Sequence, residues 1–260
     1  MNDADRRTGT GTTERVLTLL ATLADAEGPV SVRQVGETLG LAPSTTHRLL
    51  NLLAEGGFVS QDATNSSYDV GPELYRVAHR IVARTSPASV ARGVIADLAR
   101  RYDETVLFGL LLRPAGRIAF VERADGQKKL LYRIDMNAPL SLVWGASGKA
   151  ALAYLSGAKV ATILAGEGTS PATGAALPDP VALASELARI RAAGFCISHG
   201  EKLPGALGIA APVFGPDGVI GTICMTMPEA RAPSRAHEEL GAEVAQAAAH
   251  LSAQLGGRAP

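Results

Sequence analysis

The sequence predicts an α+β protein in two parts. Three observations carry that reading. Between Thr13 and Leu53 the apolar residues recur at helical spacing in three short blocks separated by Gly/Pro turns. From Val106 onward, strand-like apolar runs and helical runs interleave irregularly rather than in strict strand–helix alternation. Two late strands, Leu207–Phe214 and Val219–Met227, are joined by Gly215-Pro216-Asp217-Gly218, a proline-led turn that makes them an antiparallel hairpin.

Each element has a local cause. Residues 1–12 are polar and read as a disordered tail. Val16, Leu19, Leu20 and Leu23 then form one apolar helical stripe, which Gly28-Pro29 ends. Ser31 caps a second helix with Val32, Val35 and Leu39 facing inward, and Gly40 closes it. Pro43 opens a third helix at a position where its missing N–H costs nothing. Three short helices around a tight Gly-containing turn form a helix-turn-helix. On the third helix, Thr46, Leu49, Leu50 and Leu53 share one face, while Ser44, Arg48 and Asn51 point away and Thr45 and His47 flank them. Phe58–Gln61 and Tyr68–Val70 follow as two strands around a turn-rich loop, a hairpin placed to act as a wing beside a groove. Gly71-Pro72 starts a helix over 73–85, and Ser86-Pro87 marks the boundary between the two parts.

In the second part, Val90, Val94, Ile95 and Leu98 predict an amphipathic helix over 88–102. Strands are expected at Val106–Leu112, Ile118–Glu122, Leu130–Ile134 and Leu140–Val143, helices at Ser147–Leu155, 158–165 and 179–193, and a further strand at Phe195–Ser198. A last helix, 234–255, sets Leu240, Val244, Leu251 and Leu255 on one face. Helices packed on a largely antiparallel sheet are the expected result.

Composition narrows the function classes. The 260 residues carry 25 Lys+Arg and 25 Asp+Glu, are 47% apolar and 19% charged, and belong with globular rather than disordered chains. Zero net charge argues against retention on nucleic acid or membrane by bulk charge. No apolar run approaches the roughly 18 residues a bilayer span needs, and the start lacks a signal-peptide core. Cys196 and Cys224 are too few for a disulfide framework and stand in no metal-ligand spacing. An intracellular protein with reduced thiols, no cofactor and no membrane partner is expected.

The chain resembles the IclR family of bacterial transcription regulators. The resemblance rests on Ser31-Val32-Arg33-Gln34-Val35-Gly36, Leu41-Ala42-Pro43-Ser44-Thr45-Thr46-His47-Arg48-Leu49-Leu50 and Tyr68-Asp69-Val70-Gly71 in the first part. In the second it rests on Ala146-Ser147-Gly148-Lys149-Ala150, Gly194-Phe195-Cys196-Ile197-Ser198, Gly200-Glu201 and Ile209-Ala210-Ala211-Pro212-Val213-Phe214 with Gly218. It implies a winged helix-turn-helix at 13–72, a linker helix at 73–87 and a GAF-like effector-binding domain at 88–257. It also implies that a small molecule in the second part alters operator binding by the first. Such regulators, many of them repressors, work as homodimers through the DNA-binding half and often as homotetramers.

The third helix is the candidate recognition element. Arg48 suits a guanine edge or a phosphate, Ser44, Thr45, Thr46 and His47 suit phosphates, and Arg33 and Asn51 complete the expected set. Residues 1–86 hold 8 Lys+Arg against 10 Asp+Glu, a net of −2. Cation must therefore be concentrated by folding, with Arg15, Arg33, Arg48 and Arg76 on one side, and phosphate contacts per protomer must be few.

For the effector, relatives that bind small carboxylates use an Asp, a Cys and two Ser. The resemblance places Ser198 and Gly208 at the first two positions, and at the Ser pair either Cys224 and Thr226 or Met225 and Met227. The first pair follows from anchoring on Pro228 and is preferred on chemistry; the second follows from regular pairing across the turn. With the Asp and Cys absent, Gly208 leaving room and Trp144 bordering the site, a bulkier, partly apolar effector such as an aromatic acid is expected.

Other patterns carry less. Gly145–Ala150 lacks the spacing and hydroxyl of a phosphate loop, Ser147 lacks the G-x-S-x-G frame of a nucleophile, and His199 with Glu201 reads as a solvated turn. The alternative, an enzyme with its active site in residues 88–260 and a winged helix used only for oligomerisation, needs a nucleophile–base set or a metal cluster. The five His residues provide neither at telling spacing.

Overall fold

A computed structural model describes residues 11–62, 64, 66–83, 86–128, 132–231 and 236–260, the side chains of 81–83 aside. The chain divides into two compact units, Met1–Arg84 and Thr85–Pro260.

The first unit opens with α1 (Thr12–Asp25), α2 (Val32–Leu39) and α3 (Pro43–Glu55), followed by strands β1 (Val59–Gln61) and β2 (Tyr68–Val70) and by α4 (Pro72–Ala83). Residues 1–10 of the expected tail lie outside the described residues, and α1 begins inside its last two positions. The first helix stops at Asp25, short of Gly28-Pro29. Ser31 caps α2 in a reciprocal box with Gln34, and Gly40 ends it in the left-handed conformation at φ 63°. β1 and β2 pair antiparallel, Val59 opposite Val70. Leu19, Leu23, Val35, Leu49, Leu50, Leu53, Val59 and Tyr68 form one core. The wing is therefore anchored by a buried tyrosine rather than hanging free.

The second unit packs α5 (Pro87–Tyr102), α6 (Ala146–Leu152), α7 (Gly157–Ala165), α8 (Pro180–Ala193) and α9 (His237–Gln254) on six strands. These are β3 (Thr105–Leu112), β4 (Arg117–Ala124), β5 (Leu140–Ser141), β6 (Cys196–His199), β7 (Ala206–Gly215) and β8 (Gly218–Pro228), in the order β5-β4-β3-β8-β7-β6. Every pairing is antiparallel. Two cores cover the two faces. One, with α6 and α8, includes Leu107, Cys196, Ala210 and Cys224; the other, with α5 and α9, includes Val106, Phe108, Ile209, Met225 and Met227.

Two expected strands change. Of Leu130–Ile134, residues 130–131 lie outside the described residues and 132–134 are not strand. The chain beyond them is turned by Asn137 at φ 62° and by Pro139, which has no N–H to give to a ladder. Leu140–Val143 shrinks to two residues because Ser141 Oγ accepts the Val143 N–H at 3.0 Å, bending the chain toward α6. At its far end the last helix starts at His237, and 234–235 of the expected span lie outside the described residues.

β7 and β8 carry a bulge. Pairing steps from Val213 opposite Gly221 to Phe214 opposite Val219, leaving Ile220 over. Because side chains alternate faces, that single extra residue inverts the face assignment of β8 beyond it. Gly208 consequently stands opposite Thr226, and Ala210 opposite Cys224.

The small residues of Gly145–Ala150 have a packing explanation. All seven residues of α6 are buried. A Cβ on Gly148 would lie 2.6 Å from the Ser141 carbonyl oxygen and 2.8 Å from Leu142 Cα. Gly148→Ala therefore forces helix and strand apart and lowers stability by about 1–3 kcal/mol, measurable as a lower midpoint in denaturant unfolding.

Candidate ligand cavity and nucleic-acid interface

On α3, Ser44, His47, Arg48 and Asn51 are exposed and Thr45 is half-buried. The helix has Pro43 in its first turn and no side-chain cap, which leaves Ser44 outward and unused by the helix itself. Asn51 Nδ2 lies 3.3 Å from His47 Nδ1, and the Tyr68 hydroxyl donates to Asn51 Oδ1 at 3.5 Å. Asn51 thus links the helix face to the wing.

Thr46 corrects the expectation of a phosphate contact. It is 0% exposed. Its hydroxyl donates to the Ala42 carbonyl at 3.2 Å, and a Cβ on Gly36 would stand 3.2 Å from that oxygen. Thr46 is the seam between α2 and α3, so the core half of its sequence reading is the one that holds. The expected basic face also shrinks. Arg33 Nε donates to Glu37 at 2.8 Å and Arg76 holds Glu73 at 2.5 Å, each within its own helix. Arg15 buries its Nε, which has no hydrogen-bond partner among the described residues. Arg48 has no carboxylate within ion-pair distance among the described residues.

In the second unit, Trp144, Ser198, Gly208, Cys224 and Thr226 all line one cavity of about 430 Å³. They arrive from the turn before α6, from β6, from β7 and from β8. Met225 and Met227 belong to the opposite core, as the bulge dictates. Trp144 is 6% exposed and donates its indole N–H to the Gly168 carbonyl at 3.1 Å. Phe120, Ile134 and Leu140 extend the apolar wall. Ser198 Oγ accepts the Ala146 N–H at 2.9 Å. Gly208 leaves less room than expected: a Cβ there would meet Ser198 Oγ at 3.1 Å and Ala146 Cβ at 3.4 Å. A side chain at 208 would crowd the serine that holds the helix backbone.

The cavity wall is not apolar throughout. Arg117, Arg133, Asp135, Glu167, Glu201 and Lys202 also line the cavity. Arg117 holds Glu167 at 2.5 Å, and the Ser141 hydroxyl donates to the same carboxylate at 2.8 Å. Glu201 accepts the Gly145 N–H at 3.0 Å with one oxygen and Lys149 Nζ at 2.7 Å with the other. Lys149, 5% exposed, also donates to Glu186 at 2.8 Å. Burial pulls the Lys149 ammonium down, but its two carboxylates outweigh that and leave it above the ordinary lysine value. Lys202 is the opposite case: burial lowers its ammonium to about 8. These charges come from positions up to 85 residues apart (Arg117 and Lys202), so spacing gave no signal. The one local hint was Lys202 directly after Gly200-Glu201.

The thiols are quiet. Burial raises Cys196 to about 12 and Cys224 to about 11, so neither is an available nucleophile near neutrality. Ala210 separates them across the sheet, which puts them about 9–10 Å apart, beyond disulfide reach. His199 Nδ1 lies 2.6 Å from Glu229 while Glu201 faces Lys149, so the two do not converge. Among the described residues no three metal-ligating side chains cluster, and no helix is long and apolar enough to cross a membrane.

Residues 79–253 match the bacterial transcriptional regulator IclR C-terminal family, and residues 12–63 the IclR helix-turn-helix domain. The chain belongs to the IclR family. It is a ligand-responsive DNA-binding transcriptional regulator, with a helix-turn-helix domain followed by an α+β effector domain. It is 26% identical over 244 residues to the HTH-type transcriptional regulator XynR of Escherichia coli K12, covering 94% of this chain and 96% of that protein. A putative IclR transcriptional regulator from Silicibacter sp. TM1040 superposes with TM-score 0.87 at 27% identity, over 96% of this chain and 98% of that one. An IclR homologue from Microbacterium hydrocarbonoxydans, solved with 4-hydroxybenzoate, shares the fold at TM-score 0.77 and 22% identity, over 93% and 97% of the two chains.

Removing the Lys149 charge leaves Glu186 and Glu201 facing each other without a counterion. Lys149→Met is expected to cost about 3–5 kcal/mol. The loss shrinks as pH falls toward carboxylate protonation, and Glu186→Gln partly relieves it. Unfolding midpoints of the single and double variants across pH 5–8 measure this.

Proposed function

We propose that residues 13–72 read an operator through Ser44, Thr45, His47, Arg48 and Asn51, with Arg33 at the margin. The effector, a bulky organic acid with an aromatic ring, sits in the cavity against Trp144, Ser198, Gly208, Cys224 and Thr226. The helix α4 (Pro72–Ala83) carries the signal, and the protein works in the cytoplasm as a homodimer or homotetramer, with no catalytic step of its own. One observation carries the effector reading: five residues named from sequence meet at one cavity, walled by the chain's single Trp. Its volume of about 430 Å³ falls in the range of small-molecule sites, and a relative of the same fold was solved with an aromatic acid.

For DNA, a helix face with one unpaired Arg among short hydroxyl and amide side chains suits base-edge contacts supported by few phosphates. Dimerisation then doubles a contact set that one protomer cannot make strong.

The test joins two readouts on the full chain. Aromatic acids are expected to quench Trp144 fluorescence and, at matching concentrations, to change retardation of a fragment carrying the promoters flanking the gene. Glyoxylate should do neither. Quenching by glyoxylate alone would refute the bulky-acid reading. Arg48→Ala should weaken DNA binding at least about tenfold, the scale of a lost bidentate base contact, and leave quenching intact.

The transmitting helix gives a separate expectation. Ala78 lies in the middle of α4, where proline costs about 3 kcal/mol of helix stability. Ala78→Pro should abolish the effector's influence on DNA retardation while Trp144 quenching persists. An unchanged response would exclude this route.

A further inference from the structure

Of the six charged side chains lining the cavity, two stand exposed at its rim, three are answered by partners, and one further in has no countercharge among the described residues. Glu167 receives Arg117 and the Ser141 hydroxyl; Glu201 receives Lys149 and the Gly145 N–H. Arg117 is spent on Glu167. Arg133 and Asp135 are exposed at the rim. Lys202 differs. Its stem lies over Gly145, whose Cα approaches so closely that a Cβ would sit 3.3 Å from Lys202 Cβ. Its Nζ donates only to the Ser141 carbonyl, at 3.3 Å, and no carboxylate lies within ion-pair distance among the described residues. A neutral carbonyl satisfies one of three ammonium protons and none of the charge.

The groups facing Lys202 come from every side. Glu167 and Glu201 favour its charge from a distance, Arg117 opposes it, and Cys224 on the cavity floor lies close enough that the thiol and the amine influence each other. Burial outweighs the glutamates and holds the ammonium near 8, so it is charged at neutral pH at a cost that an incoming anion would remove. Beside Lys202 a cationic ligand finds no free carboxylate among the described residues, because Glu167 and Glu201 are both compensated and Asp135 stands at the rim.

We propose that Lys202 is the residue that makes the cavity select carboxylic acids, its ammonium receiving the effector's carboxylate beside Cys224 while the remainder of the ligand lies against Trp144. This rests on the cavity being the effector site. It sharpens that reading by assigning the acid end of the ligand to a side chain that has a neutral carbonyl but no anionic partner among the described residues.

The proposal predicts a pH dependence with a definite sign. The ammonium form prevails below about 8, so acid affinity is full near pH 7 and falls as pH rises past that value. The expected titration uses the full-length protein, Trp144 fluorescence, and benzoate and 4-hydroxybenzoate beside their amides. The wild type should bind the acids at least about tenfold tighter than the amides at pH 7, the scale of one charge-assisted hydrogen bond. That preference should decline between pH 7.5 and 9.5. Lys202→Met should erase the acid preference and its pH dependence, bringing acid and amide affinities within about twofold of each other, and Lys202→Arg should keep the preference and flatten the pH profile. An acid-to-amide ratio that survives Lys202→Met overturns the assignment of Lys202 and leaves the effector cavity standing. Quenching by none of the four probes overturns both.

Discussion

A single extra residue in one strand decides what the ligand cavity is made of. Ile220 is left over where β7 and β8 pair, and the register beyond it shifts by one. Without that bulge, regular pairing across the turn would aim Met225 and Met227 into the cavity and turn Cys224 and Thr226 toward α5 and α9. The bulge gives the opposite result. Two small residues reach the cavity, and the two methionines fill the helix-covered core, where flexible apolar chains pack well. The free volume, the closeness of Cys224 to Lys202 and the pairing of Gly208 with Thr226 all follow from it.

The cavity also shows how a buried site can hold many charges. Arg117 with Glu167, and Lys149 with Glu186 and Glu201, are compensated groups in which every charged side chain has an oppositely charged partner. Such clusters add little net stability, but breaking one strands a charge. Their value is positional. Glu201 ties the 200–205 loop to the start of α6 through Gly145, and Ser170 donates to the Glu201 carbonyl at 2.8 Å. Lys202 is the next residue along, so the same anchors that satisfy Glu201 fix where its neighbour's stem must run.

Much of this was legible in the sequence, and what was not has physical reasons. Local signals located the helices: Ser31 as a cap, Gly40 as a left-handed stop, and Pro43 at a first turn act over a few residues. The five cavity residues named from the sequence came from a resemblance between aligned segments. The buried ion pairs join residues 37 to 52 positions apart (Lys149 with Glu186 and with Glu201), and pairing at that distance leaves no periodicity to read. Residues 132–134 are apolar in part but are not strand, because Asn137 and Pro139 end any ladder they might extend. Thr46 was read two ways at once. Its place on the apolar face of α3 was right, and its hydroxyl misled, since that hydroxyl serves the helix backbone.

The DNA-reading unit reaches its function with few available charges. Its slightly acidic balance is sharpened by folding, because Arg33 and Arg76 each turn to a glutamate one helical turn away. Exposed pairs of this kind are worth little to stability, so their main consequence is to take cations away from phosphates. Arg48 is left on α3 without an ion-pair partner among the described residues, surrounded by hydroxyl and amide groups, with Asn51 bonded across to the wing tyrosine. A surface of that composition binds nonspecific DNA weakly, because counterion release scales with the phosphates neutralised. In the homodimer proposed above, affinity comes from matched geometry at two half-sites, and geometry between protomers is what an effector domain can change. Sparse charge in one unit and an ion-rich, ligand-sized cavity in the other are thus two sides of one requirement: operator binding weak enough for a small molecule to control.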